Sequence, residues 1–140
     1  MPRFYRAMVH ENEIPVVGSG KNMLGVRVPP DPNPDIHPDD SGNVQPGNGG
    51  MSVAPTWRDL PHFLVPKRLK ELAPKARGRN ELACFRFGEG SFAASDVTEW
   101  LVLRPDSSIH ATVQPGNSML LADYQNAIGD TREGWNKDET

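Results

Sequence analysis

The sequence predicts a small α+β domain, built mainly from antiparallel strands with a few short helices. Three observations lead there. Short stretches alternate with a period of two, most clearly at residues 3–10, 51–53 and 108–114. The 14 prolines and 13 glycines among 140 residues leave room for helix only as a minority. The link between the strands expected at 82–87 and 97–104 is too short for a crossover helix, so those strands pair antiparallel or lie on different sheets.

A chain of this length forms one domain, residues 1–140, able to bury about two thirds of the surface its unfolded form exposes. Its formal charge of -3 argues against a nucleic-acid coat or an anionic-membrane binder. The charge is unevenly placed. Residues 28–57 hold four aspartates and no Lys or Arg, whereas residues 58–86 hold eight basic side chains against Asp59, Glu71 and Glu81. The basic segment is either a solvated surface or an electropositive rim for a phosphate-bearing ligand. Cys84 is the one cysteine, so no intrachain disulfide forms, and its apolar neighbours predict a buried, inert thiol. No stretch approaches the ~18 apolar residues of a membrane span, and Met1 leads into no signal-peptide core. The expectation is a protein without a cleaved signal, cytoplasmic in the cell that makes it.

Taken in order, residues 3–10 read as a first strand with Phe4, Arg6 and Met8 on one face. An arginine between apolar neighbours is costly to bury unless it meets an anion, so Arg6 is either a ligand-binding group or half of a structural salt bridge. G-S-G-K-N at 18–22 lacks the leading glycine and the trailing Ser or Thr of a phosphate loop. Residues 23–28 predict a second strand. The stretch 29–50, with six prolines and four glycines, has almost nothing to bury and is expected to be a flexible loop, a flap or a disordered insertion. Two glycines, Gly49 and Gly50, then let the backbone approach a neighbour closely before a short strand that turns Met51 and Val53 inward and Ser52 outward.

Pro66 suits a first helical turn and Pro74 ends any helix begun there. Gly88, Gly90 and Ala93 match a dinucleotide fingerprint in spacing, but a strand follows where that fingerprint requires a helix. From 108 to 114, Ile109, Ala111 and Val113 face one way, and Ser108, His110, Thr112 and Gln114 the other. That polar, uncharged face either meets water or lines a ligand cleft. Ser118 is expected to cap a helix with the stripe Leu120, Tyr124, Ala127, Ile128, Thr131 and Trp135, split near Gly129 by a fresh capping box at Asp130 and Glu133. Residues 136–140 are expected to form a charged tail.

Three pieces, F-Y-R-A-M, G-G-M-S-V and H-A-T-V-Q-P-G-N-S-M leading into D-Y-Q, stand in order along the chain. Together they resemble the antibacterial toxin family typified by the second exported effector of a type VI secretion system, whose fold is ADP-ribosyltransferase-like. The resemblance implies two packed sheets around an NAD-binding cleft, delivery into a target cell, a macromolecular target and an immunity protein. By position it implies that Arg6 holds NAD through phosphate or ribose and that Ser52 supports the nicotinamide ribose. It also implies that His110 and Thr112 line the floor of the cleft, and that Gln114 stands where the strand leaves it. His110, Gln114 and Ser52 are then the candidate catalytic residues, and NAD is substrate rather than resident cofactor; no metal is expected. One departure matters: ADP-ribosyltransferases use a late glutamate, and no Glu lies between Ile109 and Arg132. Gln114 can hydrogen-bond a ribose hydroxyl but cannot act as a base. Two other readings remain: a metal-independent ribonuclease using His62 or His110, and a protein-binding module without catalysis.

Overall fold

A computed structural model describes all 140 residues. The strands are β1 (Phe4–Met8), β2 (His10–Glu11), β3 (Ile14–Pro15), β4 (Asn43–Val44), β5 (Met51–Val53), β6 (Ala83–Phe87), β7 (Ser95–Asp96), β8 (Leu101–Pro105), β9 (Ala111–Pro115), β10 (Met119–Leu120) and β11 (Trp135–Lys137). One α-helix, α1 (Leu121–Gly129), and three 3₁₀ turns complete a small α+β domain with several antiparallel sheets. No helix is long and apolar enough to cross a membrane.

Two sheets carry the structure, in the orders β1-β6-β11 and β5-β9-β8-β7. They are tied where Tyr5 and Ala54 exchange backbone hydrogen bonds of 2.7 and 3.0 Å. Strand alternation sorts their side chains. From the first sheet Phe4, Met8, Phe85 and Phe87 enter the main core, where they meet Met51, Val53, Leu103 and Val113 from the second. The opposite face of the first sheet sends Ala7 and Cys84 into a smaller cluster closed by Trp57, Leu60 and Val65. Burial pushes the Cys84 thiol up to about 12, with Glu139 nearby adding to the effect, so it is not a nucleophile. The expected strands at 82–87 and 97–104 belong to different sheets, the second beginning only at Leu101.

The segment 23–28 buries Leu24 and Val26 but joins no sheet. It makes a single parallel bridge, Leu24 with Val17, while the Met23 and Gly25 carbonyls accept from Arg6 instead of from a strand. The 29–50 stretch also differs from the expectation that it buries almost nothing. Ile36 and Val44 are fully buried in the main core, and β4 pairs with β10. The two glycines at its end serve the close approach expected of them. A Cβ on Gly49, which has φ +109, would lie 2.2 Å from the Asp35 carbonyl, and one on Gly50 would lie 2.4 Å from that of Val113.

Helix α1 starts later than the Ser118 cap implies. Met119 and Leu120 are taken by β10, and the first helical N–H, from Leu121, donates to the Gly42 carbonyl at 3.0 Å. Leu120 is consequently half exposed, while Tyr124, Ala127 and Ile128 form the buried stripe. The Tyr124 hydroxyl donates to the Val113 carbonyl at 2.5 Å and accepts from the Met51 N–H at 3.3 Å, clasping a residue pair of β5 and β9. The turn Arg132–Gly134 follows without the side-chain cap expected from Asp130 and Glu133.

The last residues form a clasp rather than a free tail. β11 pairs with β6, Arg68 takes Glu139 through both Nη atoms at 2.7 Å, and Arg86 Nη1 meets Asp138 at 2.6 Å. The Trp57 indole N–H donates to the Thr140 carbonyl at 3.1 Å. Burial raises the Asp138 carboxyl, but bonds from Thr140, Tyr5 and Arg86 together outweigh it and hold it down to about 2, from an ordinary 3.8.

Two outcomes are expected. Tyr124→Phe leaves the Met51 N–H and the Val113 carbonyl without their buried partner and lowers stability by about 1–3 kcal/mol, read as a lower urea midpoint at unchanged slope. Because the folded Asp138 carboxyl is depressed, its contribution is complete above the unfolded value and is lost as pH falls through the folded one. Asp138→Asn therefore melts below wild type at pH 7, and the gap closes as pH drops from about 4 towards 2; a gap independent of pH would contradict this.

Candidate functional site

Where the two sheets part, beside the Tyr5 and Ala54 tie, lies a cleft of about 260 Å³. Arg6, Ser52 and His110 all line it, although they come from β1, β5 and the β8–β9 hairpin. Lys21, Asp59 and Phe63 complete the wall that faces them.

Arg6 is the structural centre of this region. It is 6% exposed, and burial lowers its pKa to about 10, with Asp35 the chief opposing charge. The guanidinium finds neither a carboxylate nor an open position for a fork-like anion contact. Nε donates to the Met23 carbonyl at 3.1 Å, Nη1 to Ser52 at 2.8 Å, and Nη2 to Lys21 at 3.1 Å and Met23 at 2.9 Å, with Gly25 at 3.4 Å. One Nη1 hydrogen is left over. The bidentate NAD clamp expected of Arg6 is thus replaced by a cage of backbone carbonyls. The cause is geometric: the turn at residues 20–23 and the bend that follows it aim the carbonyls of residues 21, 23 and 25 at the guanidinium, and β5 adds Ser52 from the other side.

His110 occupies the mouth of the cleft, half exposed, at the end of the hairpin loop between β8 and β9. The loop is held by Asp106 and Ser107 N–H groups, both donating to the His110 carbonyl. That closure brings the Asp106 carboxylate against Nδ1 of His110, 2.8 Å from Oδ1 and 2.9 Å from Oδ2. A carboxylate on Nδ1 fixes the tautomer and leaves Nε2 as the working nitrogen. Asp106 reads in the sequence only as a turn residue; the signal that marks it is D-x-x-x-H spanning a five-residue hairpin loop, which places the two side chains face to face.

The remaining candidates separate. Ser52 pairs with Thr112 across β5 and β9; Ser52 lines the cleft wall, and Thr112 lies outside it. Thr112 Oγ1 accepts from Gln114 Nε2 at 2.9 Å, and Gln114 Oε1 accepts from the Gly47 N–H at 3.0 Å. Both side chains therefore tie β9 to the 43–50 segment, and Gln114 takes no place in the cleft as a catalytic group. The pleat explains this: at about 3.3 Å per residue, Gln114 stands roughly 13 Å along the strand from His110. The polar face begins later than expected too, since β9 starts at Ala111 and Ile109 is exposed on the cleft rim.

None of the eight basic residues of 58–86 lines the cleft. Arg68 and Arg86 are engaged by the C-terminal clasp, and Arg58 lies 4.4 Å over the Trp57 ring. The cleft takes its positive charge from residues 6, 21 and 27 instead. His62 lies outside it, so His110 has no second histidine for the two-histidine form of ribonuclease chemistry. Glu99, weighed as a stand-in for the missing glutamate, lines a separate surface groove beside Trp100.

No family model matches the chain, and no curated protein matches it.

Arg6→Met strips the donor from four carbonyls at once and is expected to destabilise the domain by about 3 kcal/mol or more, measured by denaturant unfolding. A shift below about 1 kcal/mol would mean that water replaces the guanidinium without loss.

Proposed function

We propose that the cleft binds NAD and cleaves its bond between nicotinamide and ribose, transferring ADP-ribose to a macromolecular acceptor or to water. The observation that carries this reading is convergence: three residues drawn from separate parts of the chain by the resemblance, Arg6, Ser52 and His110, line one cleft at the junction of two sheets. Its 260 Å³ falls just below the about 300–1,000 Å³ of ordinary ligand pockets, so it suits one end of a dinucleotide, with the rest lying along the rim. The ADP-ribosyltransferase-like description of the two-sheet core belongs to the same proposal.

The chemistry follows from the His110 and Asp106 pair. As the C1′–N bond breaks, nicotinamide leaves with the bonding electrons as a neutral base, and C1′ develops oxocarbenium character. The acceptor oxygen bonds to C1′, and its proton passes to Nε2 of His110, whose cationic form is stabilised by Asp106 at Nδ1. The half-exposed histidine thereby performs the proton transfer that a late glutamate performs in ADP-ribosyltransferases. In the biological setting implied by the resemblance, the domain acts as a toxin in a target cell, and an immunity protein covers the cleft.

Purified protein incubated with NAD is expected to release nicotinamide. His110→Ala is expected to reduce the rate about 10²–10⁴-fold, and Asp106→Asn is expected to reduce it less. RNA serves as the parallel substrate. RNA cleavage lost in His110→Ala would move the assignment to a ribonuclease. No turnover of either, with no rise in melting temperature on adding NAD, would leave a binding module.

A further inference from the structure

Three cationic side chains reach the cleft, and two of them are already engaged. Arg6 spends its fork on carbonyls. Arg27 is held by Asp35, whose Oδ2 accepts from Nε at 3.1 Å and whose Oδ1 accepts from Nη2 at 2.8 Å. Lys21 is different. No carboxylate lies within ion-pair distance of its ammonium, whose aromatic neighbour is the Phe63 ring, with Nζ 5.5 Å from the ring centroid. Phe63 lines the cleft and is 48% exposed.

Resting on the NAD reading above, we propose that Lys21 and Phe63 together form the recognition element of the cleft, Lys21 contacting a phosphate and Phe63 stacking on a ring of the same ligand. The ligand class this selects is a phosphorylated compound with a flat heterocycle, in other words a nucleotide. An ammonium on a flexible stem suits a phosphate as a point charge, and an exposed aromatic ring accepts a base by stacking. The two groups are close enough to serve neighbouring parts of one molecule. Arg6 has a positioning role here: through Nη2 it holds the Lys21 carbonyl at 3.1 Å, and through Nη1 the Ser52 carbonyl at 2.8 Å, so one buried guanidinium sets the backbone of two cleft walls. The phosphate contact that the resemblance assigns to Arg6 passes to a residue that Arg6 holds in place.

Lys21 is exposed and makes no side-chain hydrogen bond, so Lys21→Gln is expected to fold with an unchanged melting temperature. The test is calorimetric titration of wild type, Lys21→Gln and Phe63→Ala with NAD, inorganic pyrophosphate and nicotinamide riboside, at low and moderate salt. Lys21→Gln is expected to weaken NAD and pyrophosphate about tenfold or more, to flatten their salt dependence, and to leave nicotinamide riboside unchanged. Phe63→Ala is expected to weaken NAD about tenfold and pyrophosphate little. If wild type and Lys21→Gln bind NAD equally, the anion site is overturned while the NAD reading stands. If pyrophosphate binds in a Lys21-dependent way and NAD does not bind, the anion site is supported and the NAD reading falls. If wild type binds none of the three, both are overturned.

Discussion

The Arg6 guanidinium is the contact on which the rest of the cleft depends. A buried charge is normally tolerated because a counter-charge meets it, and here its work is done by dipoles instead. Carbonyls from residues 21, 23, 25 and 52 surround it, so the side chain acts as an extra strand edge between two segments that share no ladder. With the Met23 and Gly25 carbonyls turned to Arg6, the pairing of this segment stops at one bridge, Leu24 with Val17. The same arrangement holds a gap open between β1, β5 and the 21–27 segment, and that gap is the cleft. A carboxylate partner would have neutralised Arg6 without organising any backbone.

Much of the fold was legible because alternation is a local property. The faces of β1, β5 and β9 came out as the sequence implies, with Phe4 and Met8 inward, Ser52 opposite Met51 and Val53, and Ala111 and Val113 in the core. The glycine pair before Met51 marked a close backbone approach correctly. Elements that depend on distant partners were not legible. Ile36 and Val44 are isolated apolar residues in a Pro, Gly and Asp background, and only the facing core shows that they are anchors. The charged end, too, reads as solvated until Arg68 and Arg86 are seen to face Glu139 and Asp138. In each case the deciding energy comes from a residue far along the chain.

Which of the expected residues share one cleft was only partly legible, for a related reason. Position along a strand predicts which way a side chain points, not what is already there to meet it. Arg6 points where expected, but carbonyls reach it first. Thr112 and Gln114 share a face of β9 while His110 lies in the loop before it, and the two hydrogen-bond to each other and to Gly47 outside the cleft. Asp106, which no periodicity marks, acquires its place from the closure of a hairpin. Lys21 is informative by contrast, because it sits among groups that are all partnered and has no anion of its own.

The aromatic cluster of the first sheet has a consequence for how the domain comes into being. Phe4 and Phe87 stack, Trp135 meets Phe4 edge-on and Phe87 at a tilt, and the three ring centroids lie 5.3–5.5 Å apart, joining residues from distant parts of the sequence. Contacts of such long sequence separation form late and slowly. Until residues 135–137 dock, β6 is paired along one edge only, with β1. Until then Phe4 and Phe87 lack their third ring, the Trp57 cluster lacks its C-terminal clasp, and the walls around Arg6 have no finished sheet behind them. The docking of one short strand, β11 on β6, therefore completes the aromatic triad on one face of the first sheet and, through Thr140, the clasp on the Trp57 cluster at the other.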